Sequence, residues 1–428
     1  MNSISTSFKK TGSVILMIMS LLGVVSCSCK NEDDSIKRTV LVYIAADNNL
    51  SNTANPNIYS MSSSIRNGGN DVRLLAFVDR MTIVNTRVEG DKTIRDTVNR
   101  PVLLHLHGTA IDTVRKYPEL DSTDPKVLRE VIDYVRDNYK AESYGLVMWS
   151  HGTGWIPTRK LHYVAPNLNY MPARDGNGRH GSALEIQRYP WSAQTKAFGW
   201  ENIKGNPPYV CMELDEMANA IPDGLFDFIA FDACYMGNVE VAYALRKKAR
   251  YIVSSAYEIV SYGFPYHLVT SDLLEGNLIK VCREFNSYYN NFKDWQQMAG
   301  ISLVRTEGLD SLASCFKKIV AEKKEIIPDM DIKEIQIFDR FRNHVFFDML
   351  DVVERLDTKK EYLDEFKLQM DFCIPFKVST PYIFPGEYEE IKVDKYCGLS
   401  MYIPLGKYDE SGLNDDYRRT AWSLATGY

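Results

Sequence analysis

Sequence features that would identify several common protein classes are missing from this chain of 428 residues. No two of its eight cysteines have the Cys-x-x-Cys spacing that zinc sites commonly use, and their spacing is irregular. Neither a phosphate-binding Walker loop nor the Gly-x-Ser-x-Gly motif of serine nucleophiles occurs. These absences remove zinc-stabilised proteins, P-loop nucleotide enzymes and α/β-hydrolases from the leading interpretations.

The chain also lacks a strong charge bias. Its formal net charge is −6 and it contains no basic stripe, so a nucleic-acid partner is not predicted. The N-terminal apolar run at residues 14–25 is too short to span a bilayer comfortably. Apolar residues nevertheless make up 45% of the chain, which supports a large buried core.

The N-terminal segment is interpreted as a targeting sequence. Lys9 and Lys10 precede the apolar run, and a small residue and Cys27 follow it. This order resembles a bacterial lipoprotein signal in which residues 1–26 are removed, Cys27 is lipidated and residues 27–37 form a tether. The acidic residues after Cys27 resemble the surface-export signal of Bacteroidetes lipoproteins. We expect a lipid anchor in the outer membrane of the cell envelope, with a plain secretory signal as the alternative.

The rest of the chain changes character twice. Over residues 38–305, buried strands alternate with helices, which predicts an α/β domain with three layers and a mainly parallel sheet. Residues 155–210 interrupt this rhythm with many Gly, Pro, Asn and Tyr residues and predict a long inserted loop. Over residues 306–428 helices dominate and a few strands follow, so we expect a C-terminal helical or mixed region.

Most of the cysteines are expected to be structural. An exported protein could pair some of them, but they lie in apolar contexts, where cysteine behaves as a small hydrophobic residue. We therefore expect mostly free, buried thiols at Cys211, Cys282, Cys315, Cys373 and Cys397.

Two apolar runs end in residues that can act as a nucleophile and its base. Cys234 follows one run, and His151 follows the other. Because ligands bind beyond the carboxyl ends of parallel strands, both side chains would reach one rim of the sheet. A nearby His and the helix that follows would lower the pKa of the thiol, and the backbone N–H groups of Gly152 and Cys234 would bind an oxyanion. Taken singly, each residue has the alternative of a packed structural role.

These residues also carry a family resemblance. Ser150-His151-Gly152 and Asp232-Ala233-Cys234 resemble the clan CD cysteine peptidases, and among them the clostripain family most closely, with support from residues 45–50, 234–237 and 398–404. The resemblance implies a caspase–haemoglobinase-like fold with a His151–Cys234 dyad. It also implies attack of the thiolate on a peptide carbonyl and protonation of the leaving amine by the His.

Substrate preference is the point on which the sequence departs from that family. Its members commonly cleave after Arg or Lys, and Asp232 matches the family position two residues before the nucleophile, on the same strand face. The alternative for Asp232 is a structural carboxylate. The loop at residues 257–266 carries Glu258 as its only acid, which leaves an altered or aromatic-lined pocket open. Asp232 and Glu258 are the predicted substrate-binding residues.

The sequence thus predicts a monomeric cysteine endopeptidase that acts on protein or peptide. The alternative function is a catalytically silent surface lipoprotein that binds peptides or glycans. No metal or other cofactor is predicted from the residues, and calcium dependence is implied only by the resemblance. Self-cleavage, as in some family members, would fall in the inserted loop, where the alternative is an uncut loop. The basic residues of that loop are Arg159, Lys160, Arg174, Arg179, Arg188, Lys196 and Lys204.

Overall fold

A mixed sheet lies at the centre of the computed structural model, which describes residues 36–65, 71–81, 83–89, 92–98, 100–108, 110–164, 198–202, 209–386 and 390–428. The strands in chain order are β1 (Arg38–Ala46), β2 (Val72–Arg80), β3 (Ile83–Glu89), β4 (Lys92–Val98), β5 (Val102–His107), β6 (Ala110–Lys116), β7 (Ser143–Trp149), β8 (Phe198–Asn202), β9 (Tyr209–Met212), β10 (Phe226–Asp232), β11 (Ala249–Ser254), β12 (Gly300–Arg305), β13 (Phe347–Asp348), β14 (Phe376–Ser379), β15 (Tyr382–Ile383), β16 (Ile391–Lys392) and β17 (Ser400–Met401).

Nine of these strands form the main sheet in the order β14-β12-β11-β10-β7-β1-β2-β5-β6. The five central strands, β2, β1, β7, β10 and β11, run parallel, and the strands outside them pair antiparallel. The carboxyl ends of the central strands therefore meet at one edge of the sheet. This arrangement confirms the predicted mainly parallel α/β fold.

Helices flank the sheet in two packed groups, α1 with α6 and α7, and α2 with α4, α5, α8, α10 and α12. Their bounds are α1 (Ser51–Ser63), α2 (Pro125–Asn138), α3 (Leu161–Val164), α4 (Leu214–Ala220), α5 (Val239–Ala244), α6 (Tyr266–Glu275), α7 (Leu278–Asn290), α8 (Leu309–Lys323), α9 (Met349–Arg355), α10 (Lys360–Cys373), α11 (Leu413–Tyr417) and α12 (Ala421–Thr426).

Helix α2 shows how local sequence specifies these elements. The Asp124 side chain accepts a hydrogen bond from the Lys126 N–H, and Pro125 occupies the first turn, where its missing N–H costs nothing. Leu128 and Val135 belong to the apolar stripe that is buried against the sheet. The local sequence thus accounts for where this helix begins and for the face that it buries.

Strand β12 is antiparallel to β11, although alternation of strands and helices predicts another parallel strand. The reason is the number of helices in the connection. Two helices, α6 and α7, separate β11 from β12 and pack against each other. A second helix returns the chain to the carboxyl edge of the sheet, so the next strand must run in the opposite direction.

The region after residue 305 continues the same fold. Strand β14 extends the main sheet next to β12, and β17 reaches back so that the Ser400 N–H donates to the Gly237 carbonyl at 2.9 Å. The boundary predicted between residues 305 and 306 therefore falls inside the sheet. From residue 36 onward the described chain forms one compact unit.

Several predictions concern residues outside the described part. These are the signal segment 1–26, lipidation at Cys27, most of the tether 27–37, and residues 165–197 and 203–208 of the inserted loop. Within the described part, no helix is both long and apolar enough to cross a bilayer. The six cysteines described there, which include Cys234, are free and buried, in agreement with the expectation for structural thiols.

Candidate active site

His151 lies just beyond the carboxyl end of β7 and is held from three sides. Its Nε2 atom lies 2.7 Å from Oδ1 of Asn49, in the loop after β1. The neighbouring Ser150 hydroxyl donates to the Ala45 carbonyl at 2.6 Å, and the Gly199 N–H donates to the His151 carbonyl at 3.2 Å. Because an amide oxygen only accepts, this contact favours the tautomer of the neutral imidazole with its proton on Nε2.

Cys234 lies two residues beyond β10, at the start of a tight turn. The Ile259 N–H approaches its Sγ atom at 3.4 Å. Tyr235, the next residue, has a φ of 56°, in the left-handed region that residues other than glycine rarely adopt. The Tyr235 N–H donates to the Tyr257 carbonyl at 3.1 Å and its ring stacks on Phe346 at 4.8 Å. Packing from distant segments therefore holds the turn after the thiol.

One small pocket joins the two candidate catalytic residues. Because β7 and β10 are parallel neighbours with Trp149 opposite Asp232, their carboxyl ends lie side by side. The pocket volume is about 20 Å³, which is room for one water molecule. Its lining comprises Leu50, Trp149, Ser150, His151, Asp232, Cys234, Ile259, Val260, Ser261 and Gly263.

Gly152 brings the backbone after His151 against the backbone of the Cys234 turn. A Cβ atom at Gly152 would lie 2.4 Å from the Cys234 carbonyl oxygen and 3.0 Å from Sδ of Met236. Only glycine fits that gap without movement of the backbone. The close approach explains why Gly is required there, and the oxyanion role of the Gly152 and Cys234 N–H groups stays a prediction.

The thiol in this closed pocket has a raised pKa, whereas the sequence predicted a lowered one. Burial raises the pKa of Cys234 well above its ordinary value, and the carboxylates of Glu258 and Asp232 raise it further. The hydrogen bond from the Ile259 N–H lowers it, but by less. The expectation of a lowered pKa is wrong for this conformation, because it considered neighbours of the thiol and not the loss of its hydration.

Asp232 lies at the pocket with its carboxylate fully buried. Both oxygens accept from the Phe264 N–H, at 3.1 and 3.0 Å, and Oδ2 also accepts from the Tyr266 hydroxyl at 2.8 Å. Burial raises the pKa of Asp232 to about 6, and these two hydrogen bonds act against the rise. The position on the same face as Cys234 agrees with strand alternation.

Glu258, the other predicted substrate-binding residue, is not in the lining of the pocket. Its carboxylate accepts from the Tyr235 hydroxyl at 3.0 Å and lies 3.6 Å from the Arg340 guanidinium. Burial raises the pKa of Glu258, and the charge of Arg340 opposes the rise. The structure thus brings Asp232 to the pocket and places Glu258 beneath the turn of the nucleophile.

Two residues of the site were not predicted from the sequence. Asn49 was noted only as part of a family-like segment, and Tyr266 only as the end of the loop at residues 257–266. Their contacts with His151 and Asp232 join segments separated by 102 and 34 residues. No local sequence pattern signals such pairs.

A metal centre has no basis in the part of the chain that the structure describes, where no group of three metal-ligating side chains was found. His105 and His107 lie on one face of β5 with their rings 4.9 Å apart. His107 Nε2 lies 2.6 Å from Oδ2 of Asp112 on β6. The side chains of His107 and Asp112 are both exposed and form a surface hydrogen bond.

Sequence comparison agrees with this geometry. The sequence model of the clostripain family matches residues 42–170 and 178–390, which include both candidate catalytic residues. The chain belongs to the clostripain family. Clostripain of Hathewaya histolytica is 27% identical over 273 residues, which are 59% of this chain and 45% of that protein. The matched part thus spans less than half of that relative.

Two solved structures share the fold along most of their length. An inactive zymogen protease from Parabacteroides distasonis is 28% identical, with a TM-score of 0.68 over 91% of this chain and 97% of its own. A secreted cysteine protease from Bacteroides thetaiotaomicron, solved with an irreversible peptide inhibitor, is 25% identical, with a TM-score of 0.65 over 91% and 99%. The predicted family and the caspase-like fold are confirmed.

Proposed function

We propose that this clostripain-family protein is a cysteine endopeptidase with a His151–Cys234 dyad. The observation that carries the proposal is the shared pocket, which both side chains line at the ends of neighbouring parallel strands. The contact of His151 with Asn49 supports it, because it orients the imidazole at this pocket. Membership of the family adds support from the sequence.

In the proposed reaction, the Cys234 thiol gives its proton to His151 and its sulfur attacks the carbonyl carbon of the scissile peptide bond. The carbonyl π electrons move to oxygen, where backbone N–H groups of Gly152 and Cys234 would stabilise the negative charge. Collapse of this intermediate breaks the C–N bond, and the leaving amine takes the proton from His151. Water, activated by the same imidazole, then releases the acyl group from sulfur.

We propose that the substrate side chain next to the cut is Arg or Lys and that Asp232 binds it. The pocket contains a buried carboxylate, and none of the residues that line it is Lys or Arg. A basic side chain would supply the missing charge. The present volume of about 20 Å³ holds no such side chain, so the part of the loop that lines the pocket, residues 259–263, must move before substrate binds.

Self-processing is proposed as the step that opens this closed site. Supporting observations are the buried thiol with its raised pKa and a solved relative described as an inactive zymogen. Arg159 and Lys160 are poor cleavage sites, because they lie in a 3-10 turn at Thr158–Lys160 and both bind Asp416. A peptidase needs an extended backbone at the scissile bond. The candidates that remain are Arg174, Arg179, Arg188, Lys196 and Lys204.

We also propose that the chain is an extracytoplasmic lipoprotein, anchored through Cys27 and monomeric, in the outer membrane and exposed at the cell surface. The sequence order of the N-terminus and a secreted relative support this. Metabolic labelling with a clickable fatty acid tests it, with Cys27→Ser compared against Cys29→Ser. Equal labelling of wild type and Cys27→Ser would contradict the anchor.

A peptide acyloxymethyl ketone ending in lysine tests the enzyme directly, because it alkylates the thiol only after productive binding. We expect mass spectrometry to find the label on Cys234 in the wild type and none in Cys234→Ala, with Cys282→Ala, another buried thiol, labelled like the wild type. Banding of the wild type and Cys234→Ala on a gel tests self-processing, and sequencing of the new N-terminus locates the cut. Absence of labelling after trypsin has opened the inserted loop would favour the silent binding lipoprotein.

A further inference from the structure

The carboxylate of Asp232 is only partly satisfied by the protein. An ionised carboxylate offers about four acceptor positions. Among the described residues, two groups donate to it, the Phe264 N–H shared between both oxygens and the Tyr266 hydroxyl on Oδ2. Acceptor capacity therefore remains on a carboxylate at the pocket.

Tyr266 is well placed to control the orientation of that carboxylate. It is the first residue of α6, its side chain is buried, and its ring packs 6.1 Å from that of Phe264. The Thr270 hydroxyl donates to the Tyr266 carbonyl at 2.6 Å and secures the first turn of the helix. The phenol hydroxyl thus approaches Asp232 from a rigid element rather than from a loop.

The charged and titratable groups around Asp232 come from several elements. Tyr266 on α6 donates to it, and Tyr289 on α7 lies near it while donating to the Gly263 carbonyl at 2.6 Å. Cys234 and His151 line the same pocket. None of these groups is a permanent cation, so among the described neighbours only hydrogen bonds favour the charged form of Asp232.

We propose that Tyr266 is a positioning residue for substrate specificity, whose hydroxyl holds Oδ2 of Asp232 so that the remaining acceptor positions meet a basic substrate side chain. The inference rests on the proposed role of Asp232 as the binding carboxylate. It adds a residue that does not touch the substrate but acts through Asp232.

The hydroxyl of Tyr266 would also affect how substrate preference depends on pH. Burial raises the pKa of Asp232 to about 6, and the Tyr266 hydroxyl lowers it. Tyr266→Phe lacks this hydrogen bond, which favours the neutral form of Asp232 further. As the pH falls, the variant would therefore lose its preference for basic side chains at a higher pH than the wild type. A hydrogen bond to a charged group is worth about 1.5–3 kcal/mol, which corresponds to an upward shift of about 1–2 pH units.

The experiment compares two peptide acyloxymethyl ketones that differ only in ending with lysine or norleucine. Their second-order inactivation rates are measured on the full-length chain between about pH 5 and pH 9, a range that includes the pKa of about 6 for Asp232. The ratio of the two rates cancels the pH dependence of the alkylation step itself, which both probes share. We expect the lysine-to-norleucine rate ratio of the wild type to fall at acid pH. In Tyr266→Phe, this fall should occur at a pH about 1–2 units higher.

Three variants make the outcome specific. Tyr289→Phe removes a matched buried hydroxyl that contacts backbone and not Asp232, and should leave the position of the fall unchanged. Asp232→Asn should remove both the lysine preference and its pH dependence. If Tyr266→Phe does not fold, difluorotyrosine at position 266 replaces it. This side chain is a stronger hydrogen-bond donor of similar shape, so the rate ratio should fall at a lower pH than in the wild type.

Two contrary results are distinguishable. A wild type that prefers lysine, with the same profile in the Tyr266 variants, would overturn the role of Tyr266 and leave that of Asp232 intact. A wild type without preference for lysine would overturn the proposed role of Asp232, and the inference with it.

Discussion

The two sides of the candidate site are held in different ways. On the His151 side, the contacts come from elements next to β7 or from its flanking loops, with Ser150 bound to β1 and His151 bound to Asn49. On the Cys234 side, the support comes from the far end of the chain, because Tyr235 stacks on Phe346 and Gly237 binds Ser400. Strands and loops close to β7 position the base, whereas the nucleophile also depends on packing by the C-terminal region.

The largest effect is expected from breaking the C-terminal support. Phe346 is fully buried and stacks on Tyr235 at 4.8 Å. Truncation in Phe346→Ala should cost about 3–5 kcal/mol of unfolding free energy, through lost burial and a cavity. Urea unfolding measures it, with Phe372→Ala, at a half-exposed position, as the control that should lose far less. Similar losses in both variants would contradict a specific role for this stack.

The buried carboxyl of Glu240, also on the Cys234 side, should make the stability of the protein depend on pH. It is fully buried, its Oε1 accepts from the Tyr402 N–H at 3.0 Å, and burial raises its pKa to about 7. Since the folded state holds the proton more tightly, this stabilisation is complete at low pH and is lost as pH rises towards 7. The loss would amount to at most about 3 kcal/mol.

The measurement for Glu240 is the unfolding free energy from about pH 4.5 to about pH 8. This range covers the pKa of a free glutamate carboxyl and the raised pKa of buried Glu240. Glu240→Gln keeps the bond to Tyr402 without a titrating group, so its profile should be flatter over this window. Glu361→Gln, on the outside of α10, is the matched control. A wild-type profile as flat as that of Glu240→Gln would refute the prediction.

On the His151 side, Asn49→Ala should reduce activity and leave the fold intact. The imidazole would lose the acceptor that orients it, and outer partners of this kind typically contribute about 10–100-fold. We expect the loss in kcat, with KM and the melting temperature close to those of the wild type. A substantial rise in KM alone would indicate that Asn49 contacts substrate instead.

The smallest effect concerns the charge beneath the nucleophile. Glu258 raises the pKa of the Cys234 thiol, so Glu258→Gln should lower that pKa while the amide oxygen still accepts from Tyr235. We expect a shift of less than about one pH unit and alkylation by iodoacetamide up to about tenfold faster at fixed pH. An unchanged or slower alkylation profile would show that burial alone controls the thiol.

Sequence reasoning recovered the features that depend on neighbouring residues. The apolar runs before His151 and Cys234 are local patterns, and the structure shows both of them as strands. It did not recover the direction of β12, because two helices in place of one reverse a strand without a local signal. It also missed Tyr266, since its bond to Asp232 joins the start of α6 to the end of β10 across 34 residues.

The sequence by itself determined which chemical groups end the two neighbouring strands, because strand periodicity and the order of motifs act over a few residues. Only the tertiary structure decided the state of those groups. Burial raises the pKa of the Cys234 thiol because residues such as Ile259 and Val260, from the loop at residues 257–266, enclose it, and this loss of hydration outweighs the hydrogen bond that lowers the pKa.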